Sequence, residues 1–182
     1  METAKDIAKI LITEHQIRKR VFDLAGRISA DYRGKKLTVV PVLKGSVIFF
    51  ADLIRMLKVN CSVDFIAVSS YKGTASSGRV KMLMDLRESP ENKNILLIED
   101  VVDSGYTLNY IQKNIVSRKA ASLKTCVLLD KPHLRKVRVK VDYRGFVIPD
   151  KFVIGYGLDF NESYRNLPYI GVLKKEAGLK CR

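Results

Sequence analysis

The sequence predicts an α/β protein with a mainly parallel central sheet flanked by helices, and three observations carry that expectation. The run Ile95-Leu96-Leu97-Ile98 is continuously apolar, which suits a strand buried on both faces of a parallel sheet. Mostly apolar runs also occupy Leu37 to Leu43 and Thr125 to Leu129. Between these runs, apolar residues recur at helical spacing, and strands alternating with helices imply a sheet covered on both faces.

Taken in order, the first element is a helix. Thr13-Glu14-His15-Gln16 has capping-box spacing, and Ile17, Val21, Leu24 and Ile28 then share one face, so the helix ends near Gly34. Leu37 to Leu43 is the first buried strand, although Pro41 cannot donate to its ladder. Ser46 opens a helix on which Phe50, Leu53, Ile54 and Leu57 share a face. Val63, Phe65 and Ala67 suggest the next strand, leading into a polar stretch from Ser69 to Arg79 that reads as a mobile loop. After Ile95–Ile98, Leu108, Ile111 and Ile115 mark a helix. Thr125 to Leu129 is another buried strand, Val137 to Val141 an alternating one, and Phe152 to Leu158 the last.

At 182 residues the chain fits one domain with a single core. Cys61, Cys126 and Cys181 lack C-x-x-C spacing, and His15 and His133 lie far apart, so neither a disulfide framework nor a zinc site is indicated. The N-terminus lacks a basic region followed by an apolar core, and no apolar run approaches the length of a membrane span. A soluble, cytoplasmic protein is expected. The net charge of +14 would attract nucleic acid, acidic membrane or polyanionic metabolites alike. The basic residues crowd most between Arg118 and Arg144 without a long unbroken block, so a solvated face explains most of them. Neither a membrane nor a nucleic-acid partner is expected.

Chemistry concentrates just after the central apolar run. Glu99 and Asp100 should mark the carboxyl end of that strand, where open α/β sheets bind ligands. Asp103-Ser104-Gly105-Tyr106-Thr107 then turns at Gly105 and can present backbone N–H groups at a helix N-terminus, which favours a phosphate. The hydroxyls of Ser104 and Thr107 add donors. Two carboxylates beside such a loop suit vicinal sugar hydroxyls or Mg²⁺, and together these features read as a ribose 5-phosphate site. An acidic strand end followed by an ordinary Asp/Ser N-cap would leave the same residues. Leu43-Lys44-Gly45-Ser46 repeats the pattern at a second strand end, with room for another phosphate group, though Lys-Gly turns are common. Ser70 and Tyr71 open the polar loop, Lys131 ends a buried strand, and Phe152 reads by itself as a core residue.

The segment from Ile95 to Thr107 resembles the phosphoribosyl-pyrophosphate signature of the type I phosphoribosyltransferases. Pro149-Asp150-Lys151-Phe152-Val153-Ile154-Gly155-Tyr156-Gly157-Leu158-Asp159 resembles the C-terminal motif of the hypoxanthine-guanine members, and the likeness extends from about Leu11 to Leu173. It implies the type I fold, with a small hood formed by terminal segments, the C-terminal part covering about residues 145–182. It further implies Mg²⁺-dependent transfer of the phosphoribosyl group from 5-phosphoribosyl 1-pyrophosphate to hypoxanthine or guanine. Asp103 is then the catalytic base, and Glu99, Asp100 and residues 103–107 bind the phosphoribosyl group. Lys44, Gly45 and Arg165 bind pyrophosphate, the family's Leu-Lys-Gly loop, matched by Leu43-Lys44-Gly45, often holding a non-proline cis peptide. Ser70 and Tyr71 form a lid over about residues 69–80. Lys131, Phe152, Val153 and Asp159 bind the purine, and Glu99, Asp100 and Asp159 serve two magnesium ions, Asp159 helping to hold the second. A homodimer or homotetramer is implied, with Tyr106 pointing away from the phosphate.

Overall fold

The computed structural model describes residues 6–70 and 80–174. In chain order these form β1 (Ile7–Ile12), α1 (Glu14–Asp31), β2 (Leu37–Leu43), α2 (Val47–Met56), β3 (Cys61–Val63), β4 (Ile66–Ser70) and β5 (Val80–Met84). There follow β6 (Asn94–Val102), α3 (Tyr106–Ser117), β7 (Ser122–Asp130), a 3-10 turn at Pro132–Leu134, β8 (Tyr143–Val147), β9 (Val153–Ile154) and β10 (Ile170–Leu173). The main sheet runs β5-β4-β2-β6-β7-β8, with β3 also paired to β2. All its pairings are parallel except β4 with β5.

The predicted central strand is central. In β6, Ile95 to Ile98 are each 1% exposed or less, because their side chains alternate into two core layers. Leu96 and Ile98 pack with α1, α2 and the hood, whereas Ile95 and Leu97 pack against α3. The capping box of α1 forms as its sequence predicts: Thr13 Oγ1 accepts from Gln16 N, and Gln16 Oε1 accepts from Thr13 N. Ile17, Val21, Leu24 and Ile28 are its buried stripe. In α2, Phe49 joins Phe50 and Leu53 in the core, while Ile48 is exposed.

Pro41 lies within the interior strand β2 without breaking it. β3 pairs with Leu37 to Val39 and β4 with Val42 and Leu43, so Pro41 stands opposite the break between those two strands. Its missing N–H thus falls where the sheet has no partner on that side.

Three expected strands need correction. Val63, Phe65 and Ala67 do not share one strand. Asp64 interrupts it, its Oδ1 accepting from Phe65 N at 2.8 Å and its Oδ2 from Arg87 N at 2.9 Å, so β3 and β4 are separate. The face predicted to be buried is not the buried one: Ile66 is buried and Val63 exposed. Val137–Val141 is irregular, and the strand lies later, at β8. Lys136 N and Val137 N donate to Ser104 O, and Lys140 O accepts from Gln112, so this segment wraps α3 and the preceding loop. Phe152–Leu158 yields only the two-residue β9, because Gly155, Tyr156 and Gly157 all take positive φ.

The hood consists of a second, antiparallel sheet in the order β1-β10-β9. Both terminal segments contribute to it, as the family likeness implies. It places residues 152–165 over the carboxyl end of the main sheet, where Gly157 lies against the Gly45 carbonyl so closely that a Cβ at 157 would overlap its oxygen.

Candidate active site

Parallel β2, β6 and β7 end at one edge, and the chain after each tip carries the residues singled out from sequence. Glu99 and Asp100 lie inside the last turns of pleat of β6 rather than beyond it, since that strand continues to Val102. Glu99 is buried at 8% exposure, and its Oε2 has no hydrogen-bond partner among the described residues. Burial, reinforced by the charge of Asp100 beside it, pushes the Glu99 carboxyl well above its ordinary value. Burial raises Asp100 as well, against the opposing effects of its contact with Glu99 and backbone N–H groups. Gly45 permits this packing, because a Cβ there would overlap the Asp100 carboxylate. The Leu43–Lys44 peptide is cis.

Gly105 supplies the predicted turn, with φ 87°, and caps α3. Asp103 is exposed, and among the described residues the Ser104 and Thr107 hydroxyls have no partner. The Tyr106 side chain is partly exposed. Lys131 is buried at the tip of β7, and its Nζ lies 3.2 Å from Asp103 Oδ1. The predicted base and the predicted purine ligand are therefore neighbours, although 28 positions separate them in sequence.

From the hood, Phe152 projects with 56% exposure, its ring edge-on to Phe160 at a centroid distance of 5.6 Å. It is not the core residue that its chemistry alone suggested, and its open face is free to stack. Val153 is buried in β9. Arg165 Nη1 donates to Gly157 O at 2.8 Å, and its Nη2 lies 2.9 Å from Asp159 Oδ1 and 3.3 Å from Glu162 Oε2. Lys44 Nζ reaches the same Glu162 oxygen at 3.2 Å. The two cations assigned to pyrophosphate thus converge on one carboxylate, which Lys44 first and Arg165 second hold below its ordinary pKa.

Among the described residues no three His, Cys, Asp or Glu side chains make a metal cluster, and Asp159 is engaged by Arg165 and by Glu162 N. Ser70 closes β4 opposite Val80, but its side chain and the whole of Tyr71 lie outside the described residues. A cavity of about 510 Å³ between α1, α2 and the 156–168 loop shares Arg165 with the site but otherwise lies behind it. Sequence reading missed Glu162, Asp130 and Arg135. Asp130 carried a usable signal, an acid closing an apolar strand like Glu99; the other two matter only through spatial neighbours.

A family model for the phosphoribosyl transferase domain matches residues 9–161. The chain belongs to the phosphoribosyltransferase family. The matched span holds all the predicted site residues except Arg165. Over 170 residues the chain is 49% identical to the hypoxanthine-guanine phosphoribosyltransferase of Bacillus subtilis (strain 168), covering 93% of this chain and 94% of that protein. It is also 49% identical over 172 residues to the bifunctional protein TilS/HprT of Listeria innocua, of which it spans only 26%. The crystal structure of a hypoxanthine phosphoribosyltransferase from Staphylococcus aureus matches with a TM-score of 0.94 at 46% identity, covering 97% of each chain. The type I phosphoribosyltransferase fold expected from the motifs is thus the fold observed.

Proposed function

We propose that this chain transfers the phosphoribosyl group of 5-phosphoribosyl 1-pyrophosphate to hypoxanthine or guanine, forming IMP or GMP and pyrophosphate in purine salvage. The observation that carries the reading is the Lys131–Asp103 contact at 3.2 Å, which joins a base-recognising cation to the first residue of the phosphate loop. The names and the 93–94% mutual coverage of the Bacillus subtilis relative support the same assignment.

Each step needs a residue that the site supplies. Backbone N–H groups of 104–107 and the hydroxyls of Ser104 and Thr107 hold the 5-phosphate at the start of α3. Glu99 and Asp100 orient the ribose hydroxyls. Phe152 stacks on the purine, the Val153 backbone meets its ring edge, and Lys131 donates to the 6-oxo group, favouring oxopurines over adenine. The purine displaces pyrophosphate from C1 of the ribose while Asp103 accepts the proton that the base loses at N7. Lys44, the Gly45 backbone and Arg165 bind the departing pyrophosphate, and its arrival replaces Glu162 on both cations. Ser70 and Tyr71 close over the reacting centre and exclude water.

The residues fit magnesium, since the unpaired Glu99 oxygen and the adjoining Asp100 form a buried acidic pair in need of a cation. Glu99 and Asp100 would hold one ion and Asp159 would help hold a second, and when bound they would supply charge neutralisation for the leaving pyrophosphate. The same reading includes a cytoplasmic location and a homodimer or homotetramer. No described helix is long and apolar enough to cross a membrane.

The test is pyrophosphate release with the phosphoribosyl donor and Mg²⁺, offering hypoxanthine, guanine, xanthine and adenine separately beside a control without base. Turnover confined to oxopurines is the expected result. Tight donor binding with no turnover on any base would reject the enzyme assignment.

A further inference from the structure

Three successive carbonyl oxygens at the start of the phosphate loop are all engaged from one side. Lys131 N donates to Val102 O at 3.0 Å, and Arg135 Nη1 to Asp103 O at 2.7 Å. Lys136 N and Val137 N donate to Ser104 O at 2.9 and 3.2 Å. A loop presents N–H groups to an anion only while its carbonyl dipoles point elsewhere, and residues 131–137 impose that orientation. Arg135 is the sole side chain among these donors, and it acts on the middle carbonyl, that of the proposed base.

Arg135 is itself fixed. Its Nη2 pairs closely with Asp130 Oδ1, and that carboxylate is 1% exposed at the tip of β7. Arg144 Nε, from β8, lies 2.7 Å from the other Asp130 oxygen. The Arg135 stem also fills the space beside Gly105, where a Cβ would stand 3.0 Å from Arg135 Cδ. The guanidinium therefore bridges a buried carboxylate and a loop carbonyl with two nitrogens in one plane. Lysine carries its three N–H groups on one nitrogen and cannot span both partners in the fixed fork of a guanidinium.

We propose that Arg135, anchored by buried Asp130, is a positioning residue that sets the phosphate loop by holding the Asp103 carbonyl away from the anion and its carboxylate towards Lys131. This inference rests on the function proposed above, and acts through Asp103 rather than through contact with substrate. It predicts a loss in phosphoribosyl binding that is separable from folding.

The experiment compares the native chain with Arg135→Lys and Arg135→Met. Thermal midpoint, affinity for ribose 5-phosphate by titration calorimetry, and the KM values for the donor and for hypoxanthine are read for each. Arg135→Lys keeps a cation on Asp130, so the midpoint should move little. Ribose 5-phosphate affinity should fall, and donor KM rise, by about 10- to 100-fold, the range for losing a hydrogen bond to a charged group. The KM for hypoxanthine should rise less than that for the donor, because Arg135 reaches the purine end of the site only through the Asp103 carboxylate. Arg135→Met should show the same binding loss together with a lower midpoint. Native-like ribose 5-phosphate affinity in Arg135→Lys would overturn the proposal, as would a loss in Arg135→Met that merely tracks its melting. A native chain that binds ribose 5-phosphate yet turns over no purine would reject the enzyme assignment while leaving this inference open to the same affinity comparison, whose result then decides it. No binding by the native chain rejects both.

Discussion

Asp103 uses its backbone and its side chain for different purposes, and Asp103→Asn separates them. The carbonyl accepts from Arg135 Nη1 at 2.7 Å, whereas the carboxylate meets Lys131 Nζ at 3.2 Å. Asparagine has the same shape and leaves every backbone contact of the loop in place. A positioned general base contributes about 10²- to 10⁴-fold, which corresponds to roughly 3–5 kcal/mol of barrier. The turnover rate on hypoxanthine should therefore fall by at least about 100-fold, while ribose 5-phosphate affinity changes by less than roughly threefold. Losing the charge beside Lys131 affects stability little, because the Asp103 side chain is 49% exposed and solvent screens the pair; about 1 kcal/mol or less is expected. Single-turnover kinetics, phosphate-ester titration and thermal melting on one preparation read all three quantities. Parallel loss of turnover and ribose 5-phosphate affinity would refute the reasoning, since it would make the carboxylate part of the phosphate cradle.

Two further perturbations probe how the fold supports the site. Gly157→Ala would place a Cβ over the Gly45 carbonyl at a backbone φ of 99°. Strain of about 1–3 kcal/mol and overpacking of similar size should lower the midpoint by roughly 5–15 °C and raise the donor KM; an unchanged melt would disprove the close approach. Asp31 accepts from Lys124 Nζ at 2.7 Å and from Tyr143 Oη at 2.6 Å, and these contacts, Lys124 first, lower its pKa below 3.8. A depressed folded-state value means that the contribution is complete above pH 3.8 and disappears as the pH falls through the lower folded value. Asp31 is partly exposed, so Asp31→Asn should cost about 1 kcal/mol or less at pH 7 and nothing in strong acid, as urea denaturation at both pH values would show.

The parts legible in the sequence were those in which one short segment carries its own physical cause. The capping box of α1, the uninterrupted run of β6 and the turn at Gly105 each follow from adjacent residues. Val63 to Ala67 reads as one strand because alternation cannot reveal that Asp64 accepts backbone N–H groups from Phe65 and from Arg87 in a distant segment. Val137 to Val141 alternates because Val139 and Val141 pack against the α3 layer, a pattern identical to that of a paired strand. The site divides in the same way. Residues 99–107 are contiguous and carry a readable signal, whereas Glu162 becomes significant only once Lys44 and Arg165 converge on it. The exposure of Phe152 likewise depends on how the hood lies over the sheet.

Glu99 shows where stability and the proposed function oppose each other. A carboxyl at 8% exposure, with one oxygen unpaired and Asp100 adjoining, is costly to keep charged in a folded chain. An apolar strand has no structural need of it, because Leu97 and Ile98 already fill the layers on either side. Glu99→Gln removes the charge at nearly constant volume, and the new amide can donate to Asp100. The metal-free variant should therefore melt higher than the native chain, by roughly 2–4 °C for each kcal/mol relieved. Its affinity for the phosphoribosyl donor in the presence of Mg²⁺ should fall, because the buried acidic pair has become a single acid. A variant that melts lower than the native chain and binds the donor equally well would mean that Glu99 serves the fold. The opposite pair of changes would mean that the chain tolerates an unfavourable buried acid for the sake of its ligand.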